Sequence, residues 1–257
     1  MRFAALGSGS EGNSLLVEAE DTCIMIDCGL GLKETEHRLA RLGVTPQQVQ
    51  AIFVTHEHAD HISGVDKLAC KYQIPVYASY GTLNAAPRIS SRLPLLQPYD
   101  SHATDVLEVG ALQIHPFTVP HDAREPTQFV IACNGKKLGL LTDVGSITPH
   151  MLRMLQNLDA FILECNHDER MLMEGKYPYP LKKRVGGPFG HLSNTQACEL
   201  LQQLNINRLQ HLVAAHLSQE NNTPELVRNA LAATLACDPD WIRISDQYSG
   251  FDWLQIQ

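Results

Sequence analysis

The run Thr55-His56-Glu57-His58-Ala59-Asp60-His61 constrains this chain more than any other stretch. It follows Val49–Val54, an apolar segment whose length and composition predict a buried strand. Three imidazoles and a carboxylate crowded at a strand end cost stability unless something draws them together, and a divalent cation does that. His and Asp are ordinary zinc ligands, at roughly 2.0–2.2 Å. His56 and His58 are two apart and share a face of an extended strand end. Asp60 and His61 lie where the chain must turn and can point to a second centre, so the spacing suggests two metals. The plainer alternative, a polar loop before a helix, seldom carries H-x-H-x-D-H.

The surrounding sequence is that of a globular protein. Its 257 residues are 44% hydrophobic and 19% charged, enough for one large core or two small ones. No internal repeat or linker divides it, so one domain over 1–257 is expected. No apolar stretch approaches the ~18 residues of a membrane span. The opening MRFAALGSGSEG lacks the apolar core of a signal peptide, so a cytoplasmic location with no membrane partner is expected. The cysteines (Cys23, Cys28, Cys70, Cys133, Cys165, Cys198 and Cys237) are odd in number, form no C-x-x-C pair and mostly sit in apolar runs. They read as reduced, buried thiols. The net charge of −8 weighs against a generic nucleic-acid coat but leaves room for a nuclease with a local basic strip.

The N-terminal third reads as strands at Arg2–Leu6, Leu15–Glu18 and Thr22–Ile26, with a Gly-Ser turn over Gly7–Ser14 and a hairpin turn at Glu20-Asp21. Helices are expected at Lys33–Leu42 and Ile62–Tyr72, and a strand at Val76–Ala78. Strands follow at Val106–Val109, Leu112–Thr118, Thr127–Cys133 and Lys137–Leu141, the last two joined by an Asn134-Gly135 hairpin. Thr148-Pro149 opens a helical stretch. Ala160–Glu164 and Leu209–Ala215 are apolar strands, and Ser193-x-x-Gln196 opens a helix to Leu204 with a capping box. Thr223-Pro224 starts another helix, and Trp241–Ile244 and Phe251–Ile256 are closing strands. Arg170–Arg184 is the least regular stretch and reads as a surface loop.

One loop cannot supply a dinuclear site, and the missing ligands should stand at other strand ends. His121 follows IHPFTVP, Asp143 follows KKLGLLT and His216 follows LQHLVAA. Each alone fits a cap or turn; all three beside T-H-E-H-A-D-H read as ligands.

This set, H-x-H-x-D-H, a lone His, an Asp after a strand and a C-terminal His after a strand, resembles the metallo-β-lactamase superfamily across nearly the whole chain. The resemblance implies a four-layer αββα sandwich with the metals at one edge. It implies His56, His58 and His121 at one metal, Asp60, His61 and His216 at the other, and Asp143 as the bridge. An Asp rather than a Cys at that bridge resembles the phosphodiesterase and glyoxalase branches. G-S-G-S-x-G-N-S near the start, D-C-G at 27–29, E-C-N-H-D at 164–168, Y-P-x-x-L-K-x-R at 177–184, G-H-L-S-N at 190–194 and H-L-S-x-x-N-N at 216–222 resemble the YycJ/WalJ-like subfamily. That likeness implies a 5′-to-3′ exonuclease acting on DNA, more than RNA, with mismatch-repair proteins as partners. The chain lacks the inserted β-CASP domain of RNase J and the long arm with which RNase Z clamps tRNA.

The chemistry suits the residues. Two metals roughly 3.5–4 Å apart lower the pKa of a bridging water and stabilise attacking and leaving oxygens. Asp60 or Asp143 can orient that nucleophile and take its proton. His191 stands just before a helix start, where backbone N–H groups favour an anion, and is the candidate proton donor to the leaving group. Candidate substrate contacts are Ser8, Ser10 and Asn13 in the Gly-Ser run, Asn166 and His167, and the basic run Lys182, Lys183 and Arg184. Asp27 is expected to steady a ligand loop. His37, His102, His115, His150 and His211 have no supporting context and read as structural. The N/O ligand set suits Zn²⁺, Mn²⁺ or Fe²⁺. A glyoxalase-II-like thioesterase and a non-catalytic scaffold are the competing readings; the acidic charge favours the first of them and the full ligand set opposes the second.

Overall fold

The computed structural model describes residues 1–102 and 106–257. The apolar runs pair into two seven-stranded mixed sheets. The first contains β1 (Arg2–Gly7), β2 (Ser14–Ala19), β3 (Thr22–Ile26), β4 (Val49–Phe53), β5 (Val76–Ser79), β6 (Leu96–Tyr99) and the C-terminal β14 (Phe251–Gln255), in the order β14-β1-β2-β3-β4-β5-β6. The second contains β7 (Leu107–Val109), β8 (Leu112–Thr118), β9 (Thr127–Cys133), β10 (Lys136–Leu141), β11 (Ala160–Glu164), β12 (His211–Ala215) and β13 (Arg243–Ile244), in the order β13-β12-β11-β10-β9-β8-β7.

Side-chain alternation then builds the layers. In β1, Phe3 and Ala5 face the second sheet, while Ala4 and Leu6 join the cluster on the opposite face. Phe53 meets Phe129 edge-on across the central layer, with ring centroids 5.8 Å apart. Helices α1 (Leu32–Arg41) and α3 (Val65–Tyr72) cover the outside of the first sheet. Helices α6 (Pro149–Met154), α9 (Asn194–Gln202) and α10 (Pro224–Leu235) cover the second. This is the expected αββα sandwich. Strands buried on both faces carry continuous apolar runs, which is why they stand out in the sequence.

Local signals act as expected. Ser193 and Gln196 form the capping box of α9, and Thr148 and Thr223 accept hydrogen bonds from the first turns of α6 and α10. Asn134 and Gly135 both take positive φ, as a tight hairpin between β9 and β10 requires.

Three expectations need correction, and one segment carried none. The helix expected over Ile62–Tyr72 is two: α2 (Ala59–Ile62) and α3, broken where Gly64 approaches Leu30 so closely that a Cβ would lie 2.0 Å from its carbonyl oxygen. Arg170–Arg184 is not a loop but mostly α7 (Glu169–Glu174) and α8 (Tyr179–Val185). The Asp168 side chain caps α7, and Pro180 starts the first turn of α8. Trp241–Ile244 is a 3-10 turn at Pro239–Trp241 followed by the two-residue β13. Helices α4 (Tyr80–Ala85) and α5 (Pro87–Ser90) and strand β6 carry no clear periodicity and were not expected.

Strand direction locates the site. β3 and β4 are parallel, as are β10, β11 and β12; β8 runs with them, because β9 is antiparallel to both β8 and β10. The carboxyl ends of all six strands therefore open on one edge of the sandwich, where ligands of α/β folds gather. No helix among the described residues is long and apolar enough to cross a membrane.

Candidate metal centre

From the first sheet, the chain leaves β4 through Thr55 and places His56, His58, Asp60 and His61 within one turn. Asp27, at φ 59° just past β3, holds this loop. Its carboxylate accepts from the Thr55 N–H at 2.8 Å and the Thr55 hydroxyl at 2.8 Å, and it lies 2.7 Å from His61 Nδ1. With Nδ1 so engaged, His61 turns Nε2 to the site, 3.0 Å from Asp143 Oδ2.

The second sheet delivers its residues one per strand end: His121 after β8, Asp143 after β10, Glu164 at the end of β11 and His216 after β12. Asp143 and His216 both sit at φ 54°, a left-handed turn rare for residues other than glycine, which aims each side chain off the end of its strand. His121 Nδ1 donates to the Gly190 carbonyl at 3.0 Å, leaving Nε2 facing His58 Nδ1 at 3.3 Å.

Donor atoms of His56, His58 and His121 lie within 4.8 Å of one another, as do those of Asp60, His61 and His216. His56, His61 and Asp143 form a third such group that joins the other two. The structure thus brings together all seven residues expected to bind metal. Two buried atoms aimed into this cluster, His56 Nε2 and His216 Nε2, have no hydrogen-bond partner. Buried polar atoms are rarely left so, and an oxygen-and-nitrogen set at this spacing fits divalent cations.

Glu164 was not expected as a site residue. Its carboxylate is fully buried, accepts from Val144 N–H at 2.9 Å and Leu192 N–H at 3.0 Å, and meets His191 Nδ1 at 2.8 Å and His216 Nδ1 at 3.0 Å. The available signal was the rule that found Asp143, an acidic residue ending an apolar strand.

Electrostatics bind the cluster tightly. Burial is the main force holding the His56 pKa well below its ordinary value, and neighbouring His61 adds to it. Burial opposes ionisation of Asp143, but His216 and His61 outweigh it and keep the carboxyl well below the usual range. Burial likewise disfavours the charged forms of His191 and Glu164, yet their mutual attraction raises the histidine and lowers the glutamate to about 2. His216 is raised to about 10 because Asp143, Asp60 and Glu164 overcome its desolvation. A ligand histidine held protonated in this way, such as His216, gives up its proton when a cation binds.

The expected substrate contacts divide. A cavity of about 250 Å³ over the cluster is lined by Ser10, Asn166, Arg184 and His191, with Tyr177 beside them. Ser8 instead accepts from the His216 N–H at 2.9 Å, and Asn13 lies between the Gly9 turn and the Asp60–His61 pair, with its Nδ2 3.2 Å from Asp60 Oδ2. His167 is buried and lies outside the lining of that cavity. Lys182 donates to the Met173 carbonyl and Lys183 sits over the Tyr179 ring, so neither lines the cavity. Arg184 does, paired with Asp122 at 2.6 Å.

Comparison with known proteins agrees with this geometry. The family profile described as "Beta-lactamase superfamily domain" matches residues 22–216. The chain is 36% identical over 235 residues to the Bacillus anthracis protein named exodeoxyribonuclease YycJ, covering 91% of this chain and 89% of that one. It is 34% identical over 241 residues to exodeoxyribonuclease WalJ of Streptococcus pneumoniae, covering 91% and 88%. The crystal structure of the metallo-β-lactamase fold protein YhfI from Bacillus subtilis superposes with a TM-score of 0.75 at 16% identity over 98% of both chains, a likeness of fold. Seven clustered His and Asp side chains at one edge of an αββα sandwich, with relatives at this identity over nine-tenths of the chain, mean that the protein belongs to the metallo-β-lactamase superfamily of hydrolases.

Proposed function

We propose that this protein is a dinuclear metal-dependent phosphodiesterase that degrades DNA from a 5′ end. The observation that carries this reading is the joining of two three-residue donor groups through the group His56, His61 and Asp143, beneath a cavity that also holds His191 and Arg184. The choice of DNA over RNA is supported by the names of the YycJ and WalJ relatives.

His56, His58 and His121 would hold one cation and Asp60, His61 and His216 the other, with Asp143 available to both groups. Zinc or manganese at these positions supplies a water of lowered pKa and a Lewis acid for the phosphoryl oxygens. Asp60, on the cavity side of the cluster, would orient a water there and accept its proton. The contact between His191 Nδ1 and Glu164 leaves the Nε2 proton of His191 for the departing oxygen. Arg184 offsets the charge of the bound phosphate, and Ser10 and Asn166 border it.

The test is cleavage of end-labelled single- and double-stranded DNA and RNA, with elemental analysis of the same preparation. Asp60→Ala and His61→Ala are expected to abolish DNA cleavage in Mn²⁺ or Zn²⁺; cleavage that survives in both overturns the mechanism. One observation favours a small-molecule thioesterase instead: the chain is acidic, and the single Arg or Lys lining the cavity is neutralised by Asp122. Turnover of a thioester with none of any nucleic acid selects that reading.

A further inference from the structure

A second cavity, of about 770 Å³, opens beside the metal centre between β8, the start of α6 and the segment leading to His191. Its chemistry is different. No Asp, Glu, Lys or Arg is among its described lining residues, which are Pro, Thr, Ser, Val and Met with the three imidazoles His102, His115 and His150 and the ring of Phe189. The two cavities share a wall. Pro120 lines one and its neighbour-but-one Asp122 the other; Phe189 lines one, and Gly190 and His191 the other.

Phe189 stands on this shared lip with 59% of its surface exposed. Its backbone is nevertheless pinned. The Phe189 carbonyl accepts from Asp122 N–H at 2.9 Å, Ser146 Oγ donates to the Pro188 carbonyl at 3.0 Å, and Gly145 packs so close that a Cβ there would lie 2.5 Å from the Phe189 Cα. The position of the ring's attachment on the lip is therefore fixed. The His150 ring, packed edge-on against Phe117 at 6.3 Å between centroids, is part of the same wall.

We propose that this cavity receives the nucleobase adjoining the scissile phosphate, stacked on Phe189; the inference rests on the nuclease reading above. A nucleic-acid strand alternates charged phosphates with flat uncharged bases. When a phosphate occupies the charged cavity at His191 and Arg184, the neighbouring base must leave it, and the cavity whose described lining carries no carboxylate, Lys or Arg begins one residue away. At about 770 Å³ the cavity has room for a base together with its sugar. Stacking on one ring discriminates little between bases, as an enzyme that removes successive nucleotides requires, and the imidazoles offer hydrogen bonds to base edges.

The experiment measures kcat/KM on single-stranded DNA oligonucleotides that are intact or abasic at either nucleotide flanking the cleaved bond, for wild type, Phe189→Ala and Phe189→Trp. Bis(p-nitrophenyl) phosphate serves as a diester without bases. We expect the wild type to lose on the order of tenfold when one of the two bases is removed, as for one stacked base. Phe189→Ala should lose a similar factor on intact DNA and nothing further on the abasic strand, and Phe189→Trp should behave as wild type. If the wild type hydrolyses the small diester and no oligonucleotide, the nuclease reading fails and takes the inference with it. If the wild type degrades DNA and the abasic loss is absent, or equally large in Phe189→Ala, the stacking inference alone is overturned.

Discussion

Two buried carboxylates, Asp27 and Glu164, do the same work on opposite walls of the site and on different scales. Asp27 meets Thr55 and His61, both within one seven-residue run. Glu164 meets Val144, His191, Leu192 and His216, and so ties together segments that follow β10 and β12 and precede α9. Each fixes which nitrogen of a histidine faces the centre. Asp27 therefore steadies a loop that is already local, whereas Glu164 ties histidines and backbone from several separate segments to one carboxylate.

The sharpest way to break this comparison is to remove each charge. Glu164→Gln is expected to lower kcat on a phosphodiester by about 100-fold, the upper end of what loss of such a partner costs, with KM little changed. Asp27→Asn should cost about tenfold. Steady-state kinetics with metal-content analysis measure both, and equal losses would show that the number of segments held does not matter. Next in size is the packing between the walls and the first sheet. A Cβ on Gly29 would lie 1.7 Å from the Asp60 carbonyl oxygen, while one on Gly31 meets nothing within 4 Å. Gly29→Ala should lose about 1–3 kcal/mol in urea denaturation through this overpacking, and Gly31→Ala within about 0.5 kcal/mol of wild type. The smallest effect separates neighbours on α8. Arg184→Ala should reduce the salt dependence of DNA binding by about one phosphate contact, and Lys183→Ala should leave it unchanged. Fluorescence anisotropy across a salt series reads this, and a larger change for Lys183→Ala would put the DNA path on the other side of the helix.

Much of the fold is legible because burial on both faces leaves a plain mark. The segments Thr22–Ile26, Val49–Val54, Thr127–Cys133 and Ala160–Glu164 are mostly apolar and are strands within a residue of their expected ends. The 80–99 segment is not legible, since its short helices and β6, at the sheet edge, bury too little to impose a period. The Arg170–Arg184 helices are likewise amphipathic only in context: Leu172 is buried, while Met173 and Tyr179 are exposed.

The sequence by itself determined the ligand chemistry. The run from His56 to His61 is contiguous, so its density of donors is visible without a fold, and His121, Asp143 and His216 are marked by the strands they end. Only the tertiary structure decided which of these meet, and that Glu164 belongs with them. Residues more than fifty positions apart, such as Glu164 and His216, share one hydrogen bond because parallel strands bring their carboxyl ends to a common edge. The aromatic lip at Phe189 belongs to the same class. Its exposure and its pinned backbone come from Gly145 and Asp122 packing against it, contacts that no local pattern encodes.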